Sequence, residues 1–500
     1  MTLVPLDIPA GFYRNGTDLE QTGRWRDGSL VRWRDNSLRP VKGWQTRKAS
    51  FASNTLRGMH SWEANDGTAY IAGGSYNELK LMTGGGTLTS ITPSALNDVS
   101  ARRVPELERG VVLTGYGYGD YGETEYGTAR PDDGNFDEAT TWSIDNFGED
   151  LVACSSSDGR IWYWDKSANP STASVLTNAP TKNLGLIVTE ERFVFALGAG
   201  DDPRKVQWCD REANTVWTPA TTNEAGDILL QTSGQIMQGI RTRGQTLIIT
   251  DVDAHAMRYL GPPYVYSNQR VGTACGAISR KAAADVDAGV FWMGQRGFHH
   301  FDGNGVRELP CDVHDHVFDN FNRSQQSQVW AWANTEYNEI WWFYCSAGST
   351  NIDKYVAFDY QENHWVIGDL GRSSGVGRGV FKFALLAGNN KTLYEHEVGH
   401  AYDSQSVFAE TGPISLGNGE NIMNVMQLIP DEATQGQVQV KFKTRFYPNG
   451  SEQEHGPYAP ANPTGVRFSG RQMRMRVEGV ANTDWRVGNM RVDTLPAGKR

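Results

Sequence analysis

GVFWMGQRGFHHFDG, residues 289–303, is the stretch from which the fold can be read. A short apolar run ends at Gly294, a turn follows, and an aromatic run from Phe298 to Phe301 leads into Asp302-Gly303. That is a strand, a tight turn and a second strand. The same unit recurs along the chain. Its first strands are AYIAGG (from Ala69), RGVVLTG (Arg109), DLVACS (Asp150), RFVFALG (Arg192), TLIITD (Thr246), GVFWMG (Gly289), EIWWFY (Glu339) and FALLAG (Phe383). Successive starts are 40, 41, 42, 54, 43, 50 and 44 residues apart. Most are followed by an aromatic partner: RIWYWD (Arg160), KVQWCD (Lys205), HAMRYL (His255), YVAFDY (Tyr355) and TLYEHE (Thr392). A lone hairpin cannot bury its apolar face, whereas hairpin sheets stacked radially cover one another. The near-constant step predicts a β-propeller of six to eight blades.

Outside residues 55–404 the pattern changes. VQVKFKTRF (from Val438) and RQMRMRVEG (from Arg471) alternate strictly, with Met473, Met475 and Val477 on one face and Arg474 and Arg476 on the other. WRVGNMRV (from Trp485) continues the alternation, so residues 405–500 are expected to form a smaller β-sandwich-like platform domain. The first 54 residues repeat Arg-Trp-Arg-Asp at Arg24–Asp27 and Arg32–Asp35. A hairpin turning at Asp27-Gly28 is expected there, packed with the C-terminal domain. The chain as a whole reads as all-β.

Composition narrows the function. The 500 residues hold 47 Lys+Arg against 58 Asp+Glu, a net charge of -11, which argues against a clamp on nucleic acid. From Gly436 onward eleven cations face five anions, a net of +6, so the first 435 residues carry about -17. Such a split suggests that the terminal domain meets an acidic partner. No apolar run is long enough to span a membrane, and the first residues do not read as a secretory signal. The five cysteines are scattered, without a Cys-x-x-Cys, which fits reduced folding without a disulfide framework or cysteine zinc site.

Three patterns bear on chemistry. His396-Glu397-Val398-Gly399-His400 matches the His-Glu-x-x-His of zinc hydrolases. Here it falls on a strand, where residues four apart stand roughly 13 Å from one another, too far for one tetrahedral zinc. His396, Glu397 and His400 are therefore read as a chance match. Cys311, His314 and His316, with His299 and His300 upstream, have no regular ligand spacing and read as ordinary loop or core residues. SSSDGRIW (Ser155–Trp162) resembles the Asp-box turn of sialidase propellers, with Asp158 and Gly159 side by side where the box separates them. No catalytic residue, metal site or cofactor is assigned. The low-complexity stretch Gly115–Gly127, with Tyr116, Tyr118 and Tyr121, reads as a protruding arm or a solvated loop.

The wording of the chain resembles a known family. IPAGFYRNGTDLEQTGRWRDGSLVRWRDNSLRPVKGW (from Ile8), LGLIVTEERFVFALGAGDDPRKVQWCDRE (Leu184), RVGTACGAIS (Arg270), LPCDVHDHVFDNFNRSQQSQV (Leu309), YQENHW (Tyr360) and RFSGRQMRMRVEG (Arg467) are similar to the tail nozzle of short-tailed bacteriophages. That protein is also called the tail hub or packaged-DNA stabilisation protein. The resemblance implies a structural, non-enzymatic virion protein, assembled in the host bacterial cytoplasm as a ring, expected to be a homohexamer, below the portal and adaptor. It implies contacts with tail fibre or spike and needle, and retention of double-stranded DNA that later passes through the lumen without specific binding. Arg24, Trp25, Arg32, Trp33, Tyr116, Tyr118, Tyr121, Arg474 and Arg476 are the expected assembly contacts. The alternative is a propeller tail protein that binds or cleaves glycans.

Overall fold

The computed structural model describes residues 2–98, 100–112, 136–415, 421–433 and 436–498. Tyr116, Tyr118 and Tyr121 of the Gly-Tyr stretch lie outside the described residues. Seven four-stranded antiparallel sheets follow one another in chain order. Blade 1 comprises Leu56–Glu63, Ala69–Ser75, Leu79–Thr83 and Leu88–Ser90. Blade 2 comprises Trp142–Phe147, Asp150–Ser155, Ile161–Trp164 and Ser174–Val175. Blade 3 is built from Gly185–Val188, Val194–Leu197, Lys205–Trp208 and Gly226–Leu229, and blade 4 from Ile236–Thr242, Gln245–Thr250, Asp253–Gly261 and Val265–Thr273. Blade 5 takes Ala283–Val286, Gly289–Met293, Phe298–Phe301 and Val306–Leu309. Blade 6 takes Trp330–Asn334, Glu339–Tyr344, Lys354–Asp359 and His364–Asp369. Blade 7 takes Arg372–Val376, Ala384–Gly388 and Leu393–His396, and is completed by Trp44–Lys48 from the other end of the chain.

The first strand of each blade touches that of the next, and the strand of blade 7 touches that of blade 1. The ring is therefore closed, and the protein is a seven-bladed β-propeller. Closure by Trp44–Lys48 corrects the expectation that residues 1–54 belong wholly with the C-terminal domain. It covers the edge of Leu393–His396, which would otherwise present unpaired backbone groups. The expected repeat starting at Arg109 is not a blade: Val111–Val112 pairs with Phe136–Asp137 within an insertion between blades 1 and 2.

Why these strands resist simple alternation is clear from their surroundings. Glu339–Tyr344 is buried at all six positions, because neighbouring blades cover both of its faces. All sixteen tryptophans are buried, and several bolt one blade to another. The Trp142 indole N–H of blade 2 donates to the Ser75 carbonyl of blade 1, Trp342 of blade 6 to Ala282 beside blade 5, and Trp330 of blade 6 to Arg372 of blade 7. Gly58 and Gly74 make room for Trp142, since a Cβ on either would run into it.

The second domain is a β-sandwich assembled from both chain ends. One sheet has the order Thr2–Leu6, Met490–Gly498, Ile422–Ile429, Thr464–Gly470. The other runs Trp25–Ser29, Phe408–Thr411, Gln472–Gly479, Val438–Arg445, Gln453–Tyr458. The alternation read from sequence holds: Val438, Val440 and Phe442 face inward with Met473, Met475 and Val477. Asp27-Gly28 is not a turn. It lies inside Trp25–Ser29, which pairs with Phe408–Thr411 across a register shift. The hairpin turns instead at Asp35-Asn36, both at positive φ, between Val31–Arg34 and Ser37–Pro40. One continuous apolar cluster joins the sandwich to blades 5, 6 and 7. Among the described residues no helix is long and apolar enough to cross a membrane.

Candidate functional site

Two places concentrate charged groups: the seam between sandwich and propeller, and the propeller channel. The seam is centred on the hairpin Val31–Pro40. The Arg32 guanidinium is 4 % exposed and donates to Glu339 of blade 6 through Nε and Nη2, each at 2.9 Å. It also donates to Glu397 beyond blade 7, with Nη2 at 2.7 Å and Nη1 at 3.2 Å. Asn334 Nδ2 donates to Glu397 at 2.8 Å, and the Tyr337 ring lies 3.6 Å from the guanidinium carbon. Burial pushes the Glu339 carboxyl up to about 7, with Arg32 opposing that shift. One planar cation thus forks onto two buried carboxylates from different blades. Trp33 is buried beside it, edge-on to Phe12 and His364 and near Trp25. On the outer face of the sandwich, Asp18 from the N-terminal segment receives Arg474 at 2.7 Å and Arg26 at 2.8 Å, and also pairs with Arg445. Glu410 receives Lys443 at 2.9 Å and Arg476 at 3.7 Å, with Arg476 lying over Phe408.

Burial corrects three of the expected assembly residues. Trp25, Arg32 and Trp33 are buried inside the subunit, where they hold the propeller and sandwich together rather than meeting a neighbour. Arg474 and Arg476 belong to an ion-pair lattice within the chain. Arg24 pairs with Asp312 at 3.3 Å, joining the N-terminal segment to the loop after blade 5. The signal that pointed to them, a basic aromatic repeat, marks an internal seam.

The His-Glu-x-x-His string is taken apart by the fold. His396 ends a blade 7 strand, is buried, and its Nε2 accepts from Arg372 Nε at 2.8 Å. Burial and Arg372 hold its pKa well below the usual value. Glu397 sits at φ +61° and is bound to Arg32. Of the second cluster, His300 is held between the Ala288 carbonyl and Arg307, while burial lowers His316 to about 3 and raises the Cys311 thiol. Among the described residues no three His, Cys, Asp or Glu groups could share a metal ion. In the Asp-box-like turn, Asp158 is fully buried, receiving Arg160 Nε at 3.0 Å and the Trp162 indole at 3.1 Å. It shapes a turn and faces no solvent.

The channel is the site that sequence reading missed. The inner strands of six blades line a cavity of about 430 Å³. Arg57 of blade 1, Lys281 leading into blade 5, Ser327 and Gln328 before blade 6, and Ser373 and Ser374 of blade 7 lie toward the end where these strands begin. His60 and Asp285 lie further along. The insertion after blade 1 runs across that first mouth. Its Gly110 N–H donates to Gln325, Ala139 N–H donates to Ser327 Oγ, Glu138 receives Arg280, and the Glu108 carbonyl receives Arg57 at 3.4 Å. The other mouth opens to a cavity of about 580 Å³ lined by Glu190, Arg192, Arg241, Arg243 and Asp285, with Arg241 paired to Asp145 and Arg243 to Asp287. Burial lowers Arg57 to about 10 and Lys281 to about 8, and raises Asp285 to about 6. No regular spacing in sequence announces this set, because its members sit on different blades.

No family model and no curated protein matches the chain. Among solved structures it is similar to virginiamycin B lyase from Staphylococcus aureus, with TM-score 0.42, 7% identity, and coverage of 70% of this chain and 98% of that one. It is also similar to BamB from Moraxella catarrhalis, with TM-score 0.37, 8% identity, and coverage of 73% and 95%. The Pan2 WD40 domain of Neurospora crassa gives TM-score 0.39, 7% identity, and coverage of 72% and 95%. These proteins differ in function, and likenesses of this size carry no argument about activity. The fold is a β-propeller joined to a β-sandwich, as its own sheet order shows.

Proposed function

We propose that this protein is a structural ring subunit of a short bacteriophage tail nozzle, placed below portal and adaptor, where it retains packaged DNA and forms the conduit for its ejection. The observation that carries the reading is the seam. Both chain ends are woven into the sandwich, and the sandwich shares one core with three blades and a buried two-carboxylate clamp. That construction suits a rigid block that must bear load without deforming. Charge supports it as well. Residues 44–404 hold 29 Lys+Arg against 44 Asp+Glu, a net of -15, whereas the remainder holds 18 against 14, a net of +4. An acidic body repels phosphate and leaves a duplex free to slide. The propeller channel, at about 430 Å³, is far too small for a duplex, so DNA would run through the lumen that the copies enclose. Such a ring needs head-to-tail contacts between subunits.

The glycan reading drew on aromatic-rich blades. All sixteen tryptophans are buried and pack the fold, so none of them is presented as a stacking platform. Mixing the purified protein with portal and adaptor tests the nozzle reading. Rings attached to the connector are expected by electron microscopy, and particles made without the protein should lose their genomes. Genome-retaining, infectious particles lacking it would reject the reading.

A further inference from the structure

We propose that the Arg32 clamp between propeller and sandwich is a proton-operated latch: its two carboxylates share one proton, and loss of that proton loosens the seam. The proposal does not depend on the nozzle reading. It stands on a charge imbalance that the geometry fixes. The side chains of Arg32, Glu339 and Glu397 are 4 %, 5 % and 6 % exposed, so one guanidinium meets two carboxylates almost out of reach of water. Arg32 Nη2 donates to Glu339 Oε2 at 2.9 Å and to Glu397 Oε1 at 2.7 Å, which makes those oxygens neighbours around one nitrogen. Asn334 Nδ2 bridges the same two oxygens, at 3.4 Å and 2.8 Å. With both carboxylates ionised, the single guanidinium leaves a surplus negative charge in the core. Such a charge is costly, and a carboxylate pair that shares a proton avoids it.

The clamp also crosses the seam. The hairpin that carries Arg32 is tied to the sandwich by paired backbone bonds between Leu38 and Val487, at 2.9 Å and 3.0 Å. Glu339 opens the second strand of blade 6, and Glu397 follows the third strand of blade 7. Once both acids are ionised, drawing the hairpin away admits water to the surplus charge. The surrounding groups do not cancel it. Asp359 stands opposite Glu339 on the next strand and adds negative charge, and burial raises its own carboxyl. His364, opposite Asp359, is held below its usual value by burial, as is His400 beside Glu397. Lys42 is partly exposed and pairs with Glu336 at 3.7 Å, and Asp484 near His400 is exposed. The Tyr337, Tyr355 and Tyr402 phenols are raised by burial and stay neutral, and the Trp341 indole donates to Glu339 at 2.8 Å. Burial raises Glu339 from the ordinary 4.5 to about 7. Between those values the folded clamp holds a proton that the unfolded chain has released. Its contribution is therefore complete below about 4.5 and lost as pH rises through about 7, the reverse of an ordinary salt-bridged carboxylate.

The test is hydrogen exchange of the full chain by mass spectrometry, from about pH 5 to about pH 8, corrected for the intrinsic pH dependence of exchange. Peptides covering Val31–Pro40 and Glu339–Tyr344 are compared with Asp150–Ser155 of blade 2, whose apolar cluster is separate from that of the seam. Protection at the seam is expected to fall, relative to blade 2, by up to about tenfold per pH unit within the window. Glu339→Gln keeps the shape and neutrality of the protonated acid and should flatten that profile. Asp312→Asn breaks the Arg24 pair on the same seam and should weaken protection while keeping the wild-type slope. Should Glu339→Gln not fold, Glu397→Gln must flatten the profile in its place, because the remaining carboxylate then faces Arg32 alone. The proposal is overturned if the wild-type seam loses no more protection than blade 2, a result that needs no variant. It is equally overturned if the folded glutamine variants keep the wild-type slope, or if Asp312→Asn flattens it as they do.

Discussion

Arg32 ties together positions more than 300 residues apart, and its neighbours explain why it must be arginine. Two buried carboxylates, Glu339 and Glu397, share its fork. Arg32→Met would leave both without a counter-charge and is expected to destabilise the protein by about 3–5 kcal/mol in urea unfolding. Arg32→Lys should recover little, since an ammonium cannot reach both partners in a plane. Lys281 gives a pH signature of opposite sense to the usual salt bridge. Burial lowers its folded pKa to about 8, below the ordinary 10.5. Between those values the unfolded chain binds more protons than the folded one, so stability rises with pH across that window. In phosphate-free buffer at constant ionic strength, this group should add at most about 3 kcal/mol by pH 10.5, at about 1.4 kcal/mol per pKa unit. Lys281→Met should remove that rise, and an unchanged pH profile in the variant would refute the assignment.

At the scale of elements, the strand Trp44–Lys48 has the largest consequence for its size. Five residues complete blade 7 and so close the ring. Their amides are expected to exchange with solvent as slowly as those of Leu393–His396, in hydrogen exchange followed by mass spectrometry. Deleting residues 1–48 should abolish protection throughout blade 7 and expose an edge prone to aggregation. Protection confined to Leu393–His396 in the intact chain would show that the closure frays on its own. The insertion between blades 1 and 2 plays a different part. Its described residues make contacts to blades 1, 2, 5 and 6 at one end of the channel, opposite the mixed-charge mouth lined by Glu190, Arg192, Arg241, Arg243 and Asp285.

The molecule as a whole is expected to unfold in one step. Propeller and sandwich share an apolar cluster, the Arg32 clamp and the Arg24–Asp312 pair, so neither keeps its surface when the other is lost. Differential scanning calorimetry should give a single transition whose calorimetric and van't Hoff enthalpies agree. Two resolved transitions would show that the seam is weaker than its contacts suggest.

Much of this architecture was legible along the chain. Hairpin repeats such as GVFWMGQRGFHHFDG expose strand length and turn position locally, and VQVKFKTRF exposes a half-buried face through strict alternation. Those signals come from near neighbours, so a period near 40–50 residues and the sandwich strands could be read directly. The strands read from sequence were the second and third of each blade. The innermost strands, such as Gly185–Val188, pair with the second strand of their own blade, but their other neighbours are the inner strands of adjacent blades, far away in sequence. For the same reason RGVVLTG passed for a blade: its local pattern is that of a strand, and its pairing with Phe136–Asp137 is not. Whether Arg32 and Trp33 face a partner or a core depends on what the fold lays over them, and their basic, aromatic composition is compatible with both. The channel cations are the extreme case. Arg57 and Lys281 are separated by more than 200 residues, and only closure of the ring brings them to one cavity, so local chemistry specified the strands while long-range packing alone created the site.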